Sequence, residues 1–432
     1  MDLGEIAMRK NLTNSGIWKW AAGLLAVVTL AGFLVPAALQ ADDKKKKKKD
    51  EEKAATAAKI KAIDYSFIVW PNPPAIARIK YVNWYSSDKE KRNLKGNVQK
   101  KNGWMDRLAG TQSEDEVFSM PFQLNQPYGI AVDSKGLVYV ADHKVGAIFI
   151  FNTDTRDVDL IKNGVHAHFV RIIGLAMDDS DRLFVSDPGL KHVLIFNKDH
   201  KAEDVITDGL SEPSGLAVDN QNRLLYVADI ELDQVLVYDA DTLKLLRKIG
   251  TTGHKHELTT PGDFAKPSGV AVDKEGNLYV ADTLNNRIEI FDPDGNFVSA
   301  FGKNGDGPGY FARPKGVAID SDGHVWVADG MQDRVQVFTK EGQLLIALGG
   351  HGLLPGQFQG LVDIAIDKND RVFTTEIYPG RLQQMQYVTD AQADKERDKR
   401  AAERAKMSAQ HNAPTANSQS EVVPLPAPPA KP

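Results

Sequence analysis

One phrase recurs six times in this chain and leaves few architectures open to it. It runs glycine, apolar residue, alanine, apolar residue, aspartate. A short turn follows, then a second apolar segment that ends in an acid. The phrase begins at Gly129, Gly174, Gly215, Gly269 and Gly316, and in altered form at Asp363. Its aspartates are Asp133, Asp178, Asp219, Asp273, Asp320 and Asp367, and the closing acids are Asp142, Asp187, Asp229, Asp282, Asp329 and Glu376. Successive copies start 41 to 54 residues apart. A period of that length marks a supersecondary unit that cannot bury its apolar faces alone and must stack on its neighbours.

Each unit spells four strands. The first, GVAVD in its best form, is small and apolar, as suits a crowded axis. Turns such as DSKG, DKEG and DSDG follow, where Asp opens the turn and Gly takes the positive-φ position. The second strand, such as NLYVAD, reads as alternating with one aromatic. A short loop leads to a third strand, such as RIEIF or RVQVF, and a variable fourth strand returns outward, as in GNFVSAFG. Four antiparallel strands repeated radially make an all-β, six-bladed propeller.

The stretch KPSGVAVDKEGNLYVADTLNNRIEIFDPDGNFVSAFGKNGDGPGYFARPKGVAIDSDGHVWVADGMQDRVQVF, residues 266–338, resembles two consecutive NHL repeats, and the other copies keep the frame. The resemblance implies the propeller fold and no single activity. Related bacterial NHL domains serve as extracytoplasmic sensor or interaction modules, and animal ones bind RNA. The peptide-amidating lyases are similar propellers whose zinc is held by histidines in the first strand. The matching positions here are Tyr128, Ile173, Ser214, Ser268, Lys315 and Val362, none of them His, and Met331 stands where the lyase tyrosine is expected.

The sixth copy has no fourth strand of its own, because the chain turns polar after Tyr387. A propeller is closed to remove sheet edges, so the missing strand has to come from elsewhere. The expected donor is AIARIKYV, residues 75–82, pairing with residues 381–387. The chain then divides as follows. Residues 1–41 form a signal peptide or membrane anchor, and 42–63 a lysine-rich linker. Residues 64–126 hold the closing strand and an insertion containing a short helical segment at 102–110. The propeller spans 127–390, a charged helix 391–410, and a Pro/Ala-rich disordered tail 411–432. The apolar run 20–41 predicts export, to the periplasm or the outer face of a membrane if uncleaved, or secretion if cleaved. The block Lys44–Lys49 opposes translocation.

Charge narrows the partners. Residues 127–390 carry 25 Lys+Arg and 39 Asp+Glu, a net of −14, which argues against nucleic acid. With no cysteine there are neither disulfides nor thiolate metal sites. The closing acids suggest an acidic ring at a pore mouth, or acids that bond their own loops. The second reading is favoured, since a residue in every copy serves the shared fold. Five residues after each acid stand Ala147, His192, Gln234, Arg287, Arg334 and Arg381, so three copies offer an arginine partner. His166, His168, His254, His256 and His351 fall in loops entering a blade, and His143 and His192 in loops between strands two and three. The pairs His166/His168 and His254/His256 are candidate zinc ligands. No cofactor is required, with Zn or Ca as the options if one binds. No G-x-S-x-G, phosphate loop or H-E-x-x-H motif is present, and no catalytic residue is assigned. The expected role is a binding, scaffold or sensor module for a protein, peptide or glycan, tied to a membrane by its N-terminal run. Its docking face includes Tyr128, Lys315, His254, His256, His351 and Met331. The rivals are a metal-dependent lyase or hydrolase using the channel, and an RNA binder.

Overall fold

A computed structural model describes residues 64–87, 123–251 and 260–411. Its strands form six sheets around one axis. Five sheets are four-stranded meanders of consecutive strands: blade 1 over residues 127–162, blade 2 over 175–206, blade 3 over 213–249, blade 4 over 267–301 and blade 5 over 314–349. Blade 6 contributes only Leu361–Ile366, Arg371–Glu376 and Arg381–Tyr387, and two strands from ahead of the repeats complete it. These are β1 (Val69–Trp70) and β2 (Ile79–Tyr85).

β2 closes the ring by pairing antiparallel with Arg381–Tyr387, Ile79 opposite Tyr387 and Tyr85 opposite Leu382. The donor is therefore the expected one, but it starts and ends later than residues 75–82. Its partner strand ends at Tyr387, opposite Ile79, so residues 75–78 have no residue of that strand to face. Trp84 and Tyr85, beyond the expected donor, lie within the strand, and the insertion's helical segment falls outside the described residues. β1 then adds a fifth strand beyond β2, which the sequence reading did not include.

Between successive blades lies an apolar cluster, six in all among the described residues. Ile79 and Tyr81 of β2 enter the cluster between blades 5 and 6, with Trp326, Met385 and Tyr387. Tyr85 enters the cluster between blades 6 and 1, with Phe149, Phe151 and Leu382. A register shift between Tyr81 and Asn83 separates the two groups. One strand thus packs into both neighbours of the seam. The second strands do not alternate in exposure as expected: VYVAD, LYVAD and VWVAD are buried at every residue. A blade packed on both sides has no solvent face at mid-sheet, which is why these segments read as continuous apolar runs.

The C-terminal helix, α1 (Asp390–His411), matches the expected charged helix within a residue at each end. Its start is fixed to the ring. Asp390 donates its backbone N–H to Asp322 Oδ2 at 2.7 Å and forms an ion pair with Arg78, and Val388 N–H donates to Arg78 O at 2.7 Å. Among the described residues no helix is long and apolar enough to cross a membrane. The apolar run 20–41, the lysine linker and residues 412–432 lie outside the described residues.

Candidate functional site: the loop face and the channel mouth

The loops between strands two and three share one face of the ring with the loops that enter each blade. The closing acids bind those two loop sets together. All six are fully buried. Asp142 Oδ2 accepts the N–H groups of Asn125 (2.6 Å) and Gln126 (3.1 Å), and its Oδ1 accepts Val145 N–H (2.8 Å). Asp187 does the same for Val170 and Arg171, Asp229 for Ser211 and Glu212, and Asp329 for Ala312 and Arg313. Arg287 reaches Asp282 of its own blade at 2.8 Å, and Arg381 reaches Glu376 at 2.6 Å. Arg334, at the same repeat position, turns instead to Gln332 Oε1 and Asp306 O. Burial pushes the carboxyls of Asp142, Asp282 and Glu376 upward against these hydrogen bonds. Their lone pairs are taken by the scaffold, and they do not face the channel.

The first-strand acids serve turns on the opposite face, and Asp273 also accepts a bond from Lys340 of the next blade. Asp133 Oδ1, for instance, accepts the N–H groups of Lys135 and Leu137, closing the turn it begins.

The six inner strands surround a channel. A Cβ at Gly129, Gly174, Gly215 or Gly269 would overlap the backbone of the next blade's inner strand, so only glycine allows the strands to approach this closely. At the sixth position the ring admits Asp363, because its carboxylate lies beside Gly316, where a Cβ would stand in its way. Asp363 Oδ2 accepts Ile130 N–H across the seam (3.2 Å), and Oδ1 accepts Ile364 N–H (2.9 Å). Part of the residue faces the channel, yet backbone walls its carboxyl, and this burial pushes its pKa up to about 6. Asp363 lines both the cavity on the loop face and the one on the turn face, which places it at the throat.

The cavity on the loop face has a volume of about 290 Å³. Its walls are apolar at Tyr128, Ile173, Ile230, Leu284 and Val362, and Lys266, Arg313 and Lys315 bring positive charge to it. Lys266 Nζ lies 3.8 Å from Glu231. The Lys315 ammonium and the Arg313 guanidinium have no hydrogen bond or ion pair among the described residues. Burial, and then the nearby Arg313 charge, hold the Lys315 ammonium below the usual lysine pKa. The hydroxyls at the mouth are already engaged: Ser268 Oγ meets Thr283 Oγ1 and Lys315 O, and Thr283 Oγ1 meets Pro314 O.

Of the residues singled out from sequence, Tyr128 and Lys315 line this cavity, with His143 edge-on to Tyr128 at 6.0 Å between ring centroids. Met331 is exposed on the same face. His351 Nδ1 is 2.7 Å from Asp333 Oδ2. His166 and His168 are exposed, and His166 Nδ1 accepts Lys162 N–H. Burial pushes the imidazole of His192 down. His254 and His256 lie outside the described residues. Among the described residues no group of three His, Asp or Glu converges as a metal site would require.

Sequence reading missed the apolar part of this face. Leu284, Tyr310, Leu353, Leu354 and Tyr378 are exposed there alongside Met331, all from loops of blades 4 to 6. Exposed apolar residues grouped on loops mark contact surfaces. Each one alone in a loop gives no signal, and only the ring brings them together.

Comparison with known proteins agrees with this architecture. The SMP-30/Gluconolactonase/LRE-like region matches residues 177–302, and NHL repeats match 124–151 and 311–338. A probable peptidyl-alpha-hydroxyglycine alpha-amidating lyase of Caenorhabditis elegans is 39% identical over 92 residues, covering 20% of this chain and 24% of that protein. The human NHL repeat-containing protein 2 is 35% identical over 95 residues, covering 21% of this chain and 13% of that protein. The chain thus spans about a quarter or less of the curated relatives it matches. Among solved structures, a gluconolactonase of Xanthomonas campestris aligns at 21% identity with a TM-score of 0.47, over 62% of this chain and 89% of that one. Its repeated phrase is thus folded into the blades of a six-bladed β-propeller that carries NHL repeats at 124–151 and 311–338.

Proposed function

We propose that this propeller is an extracytoplasmic binding module, delivered across a membrane by its apolar N-terminal run, and that it docks a protein partner on its loop face. The observation that carries this reading is the group of exposed apolar side chains on that face. Leu284, Met331, Leu354 and Tyr378 come from separate loops that the buried acids hold in place. A rigid ring presenting apolar side chains from several loops suits a folded surface or a bound segment, where burial of apolar area supplies the affinity. The relatives include NHL-repeat proteins as well as lyases, and the chain has no histidine at the positions where the lyase resemblance places zinc.

A photo-crosslinking residue placed at Met331 in the full chain tests the reading in the native host. A discrete crosslinked protein is expected from position 331 and not from Leu246, which is exposed on the outer rim of blade 3. Equal labelling from both positions, or none from 331, would overturn it.

A further inference from the structure

We infer that the channel mouth is a receptor for one acidic side chain of the docked protein, with Lys315 and Arg313 as its counter-charges. The inference rests on the docking reading and names the chemistry at its centre. It begins from two cations that lack a hydrogen bond or ion pair among the described residues of an acidic ring. Other arginines of the interior have found theirs: Arg287 holds Asp282 and Glu289, Arg371 holds Asp367, and Arg381 holds Glu376. Among the described residues Lys315 and Arg313 face the cavity with none, although the propeller segment carries an excess of 14 negative charges. Two like charges held together over a low-dielectric wall repel, and an entering carboxylate relieves that repulsion while gaining charge-assisted hydrogen bonds. The hydroxyls nearby do not compete for it, because Ser268 and Thr283 already donate to backbone.

Size and surroundings select the source of the carboxylate. A cavity of about 290 Å³ is at the lower edge of ligand pockets, which run about 300–1,000 Å³, and so accepts a single side chain. Tyr128, Ile173 and Leu284 contact its apolar stem. The exposed rim beyond, at Met331 and Tyr378, asks for a surface wider than a chain end. The Asp363 carboxyl at the floor disfavours a second negative group deeper in the channel. A polyphosphate chain is disfavoured on the same ground by the charge of the whole ring.

The test uses three blocked dipeptides as probes of the full-length protein: acetyl-Leu-Glu-amide, acetyl-Leu-Gln-amide and acetyl-Leu-Gln with a free C-terminus. Binding is read by ligand-detected NMR. The Glu amide should bind about tenfold more tightly than the Gln amide, the scale of one charge-assisted hydrogen bond. Lys315→Met, which keeps the stem lying on Gly330, should abolish the preference, and Arg313→Gln, at an exposed side chain, should reduce it. Equal binding of the two amides, a preference that survives Lys315→Met, or binding of the free C-terminus alone would each overturn the inference. A Met331 crosslink that persists while the Glu preference is absent would sink this inference and leave the docking reading standing. A Lys315-dependent preference without the crosslink would sink the docking reading and leave only a carboxylate-binding mouth.

Discussion

Repetition lets residues at one position be compared as if they were mutants of each other. Five inner strands carry glycine where the sixth carries Asp363, and the fold holds that carboxyl at a pKa of about 6. The sign of the pH effect follows from the raised value. The folded carboxyl binds its proton more tightly than the unfolded one, whose pKa is 3.8, so its favourable contribution is complete below that value. It is lost as pH rises toward 6. Asp363→Asn removes the titration. A tenfold change in proton affinity between the folded and unfolded chain is worth ~1.4 kcal/mol. Between about pH 4 and pH 7 the stability of the variant should therefore improve relative to the parent by about 1–3 kcal/mol. A stability difference that stays constant over that range in urea titrations would refute the account.

The arginine position makes a second comparison. Arg287 neutralises Asp282 and Glu289, and burial pushes the latter's pKa up to about 7. Removing one member of a buried ion group leaves uncompensated charge, so Arg287→Ala should cost about 3–5 kcal/mol in chemical denaturation. Arg334→Ala should cost about 1 kcal/mol or less, since among the described residues that side chain is bonded only to Gln332 and a carbonyl. Nothing in the spacing of the repeats separates these two arginines. Nor does the neighbour two residues on, since Arg381 has Gln383 there, as Arg334 has Gln336, and still holds Glu376.

At the scale of elements, the seam was legible and its bounds were not. The absence of a fourth strand in the last copy required a donor, and the chain ahead of the repeats offered one apolar segment. Where pairing starts depended on Tyr387, the last residue of the partner strand, which faces Ile79. How far it runs depended on Tyr85, whose burial against Phe151 and Leu382 belongs to a neighbouring blade and leaves no mark in local pattern. Removing residues 1–85 takes Ile79, Tyr81 and Tyr85 from two apolar clusters and bares a sheet edge. Each such loss costs about 2–5 kcal/mol, and the melting temperature should fall by roughly 10 °C or more. A melting temperature unchanged in scanning calorimetry would remove β2 from the closure.

For the whole molecule, fold and site differ in how far sequence reaches. The fold is written in positions that every blade shares, so it is stated six times over. The loop face is written where copies disagree, at Lys315 against Ser268, or Met331 against Glu231, and such differences acquire meaning only when the ring sets them side by side. The closing acids illustrate the contrast. Their recurrence invites a functional reading, yet the backbone amides of two loops occupy them.

The pairing that closes the ring also decides how it responds to force. β2 leads with Ile79 and the last strand ends with Tyr387, and these two residues face each other at one end of an antiparallel ladder. Tension between the chain ahead of β1 and the C-terminal helix therefore falls on that end. Once the two-residue β1 has lifted, the ladder peels pair by pair instead of shearing as a block. The contacts that meet the load first are the Arg78–Asp390 ion pair and the bond from Val388 N–H to Arg78 O, a small clasp on the weakest edge of an otherwise seamless ring.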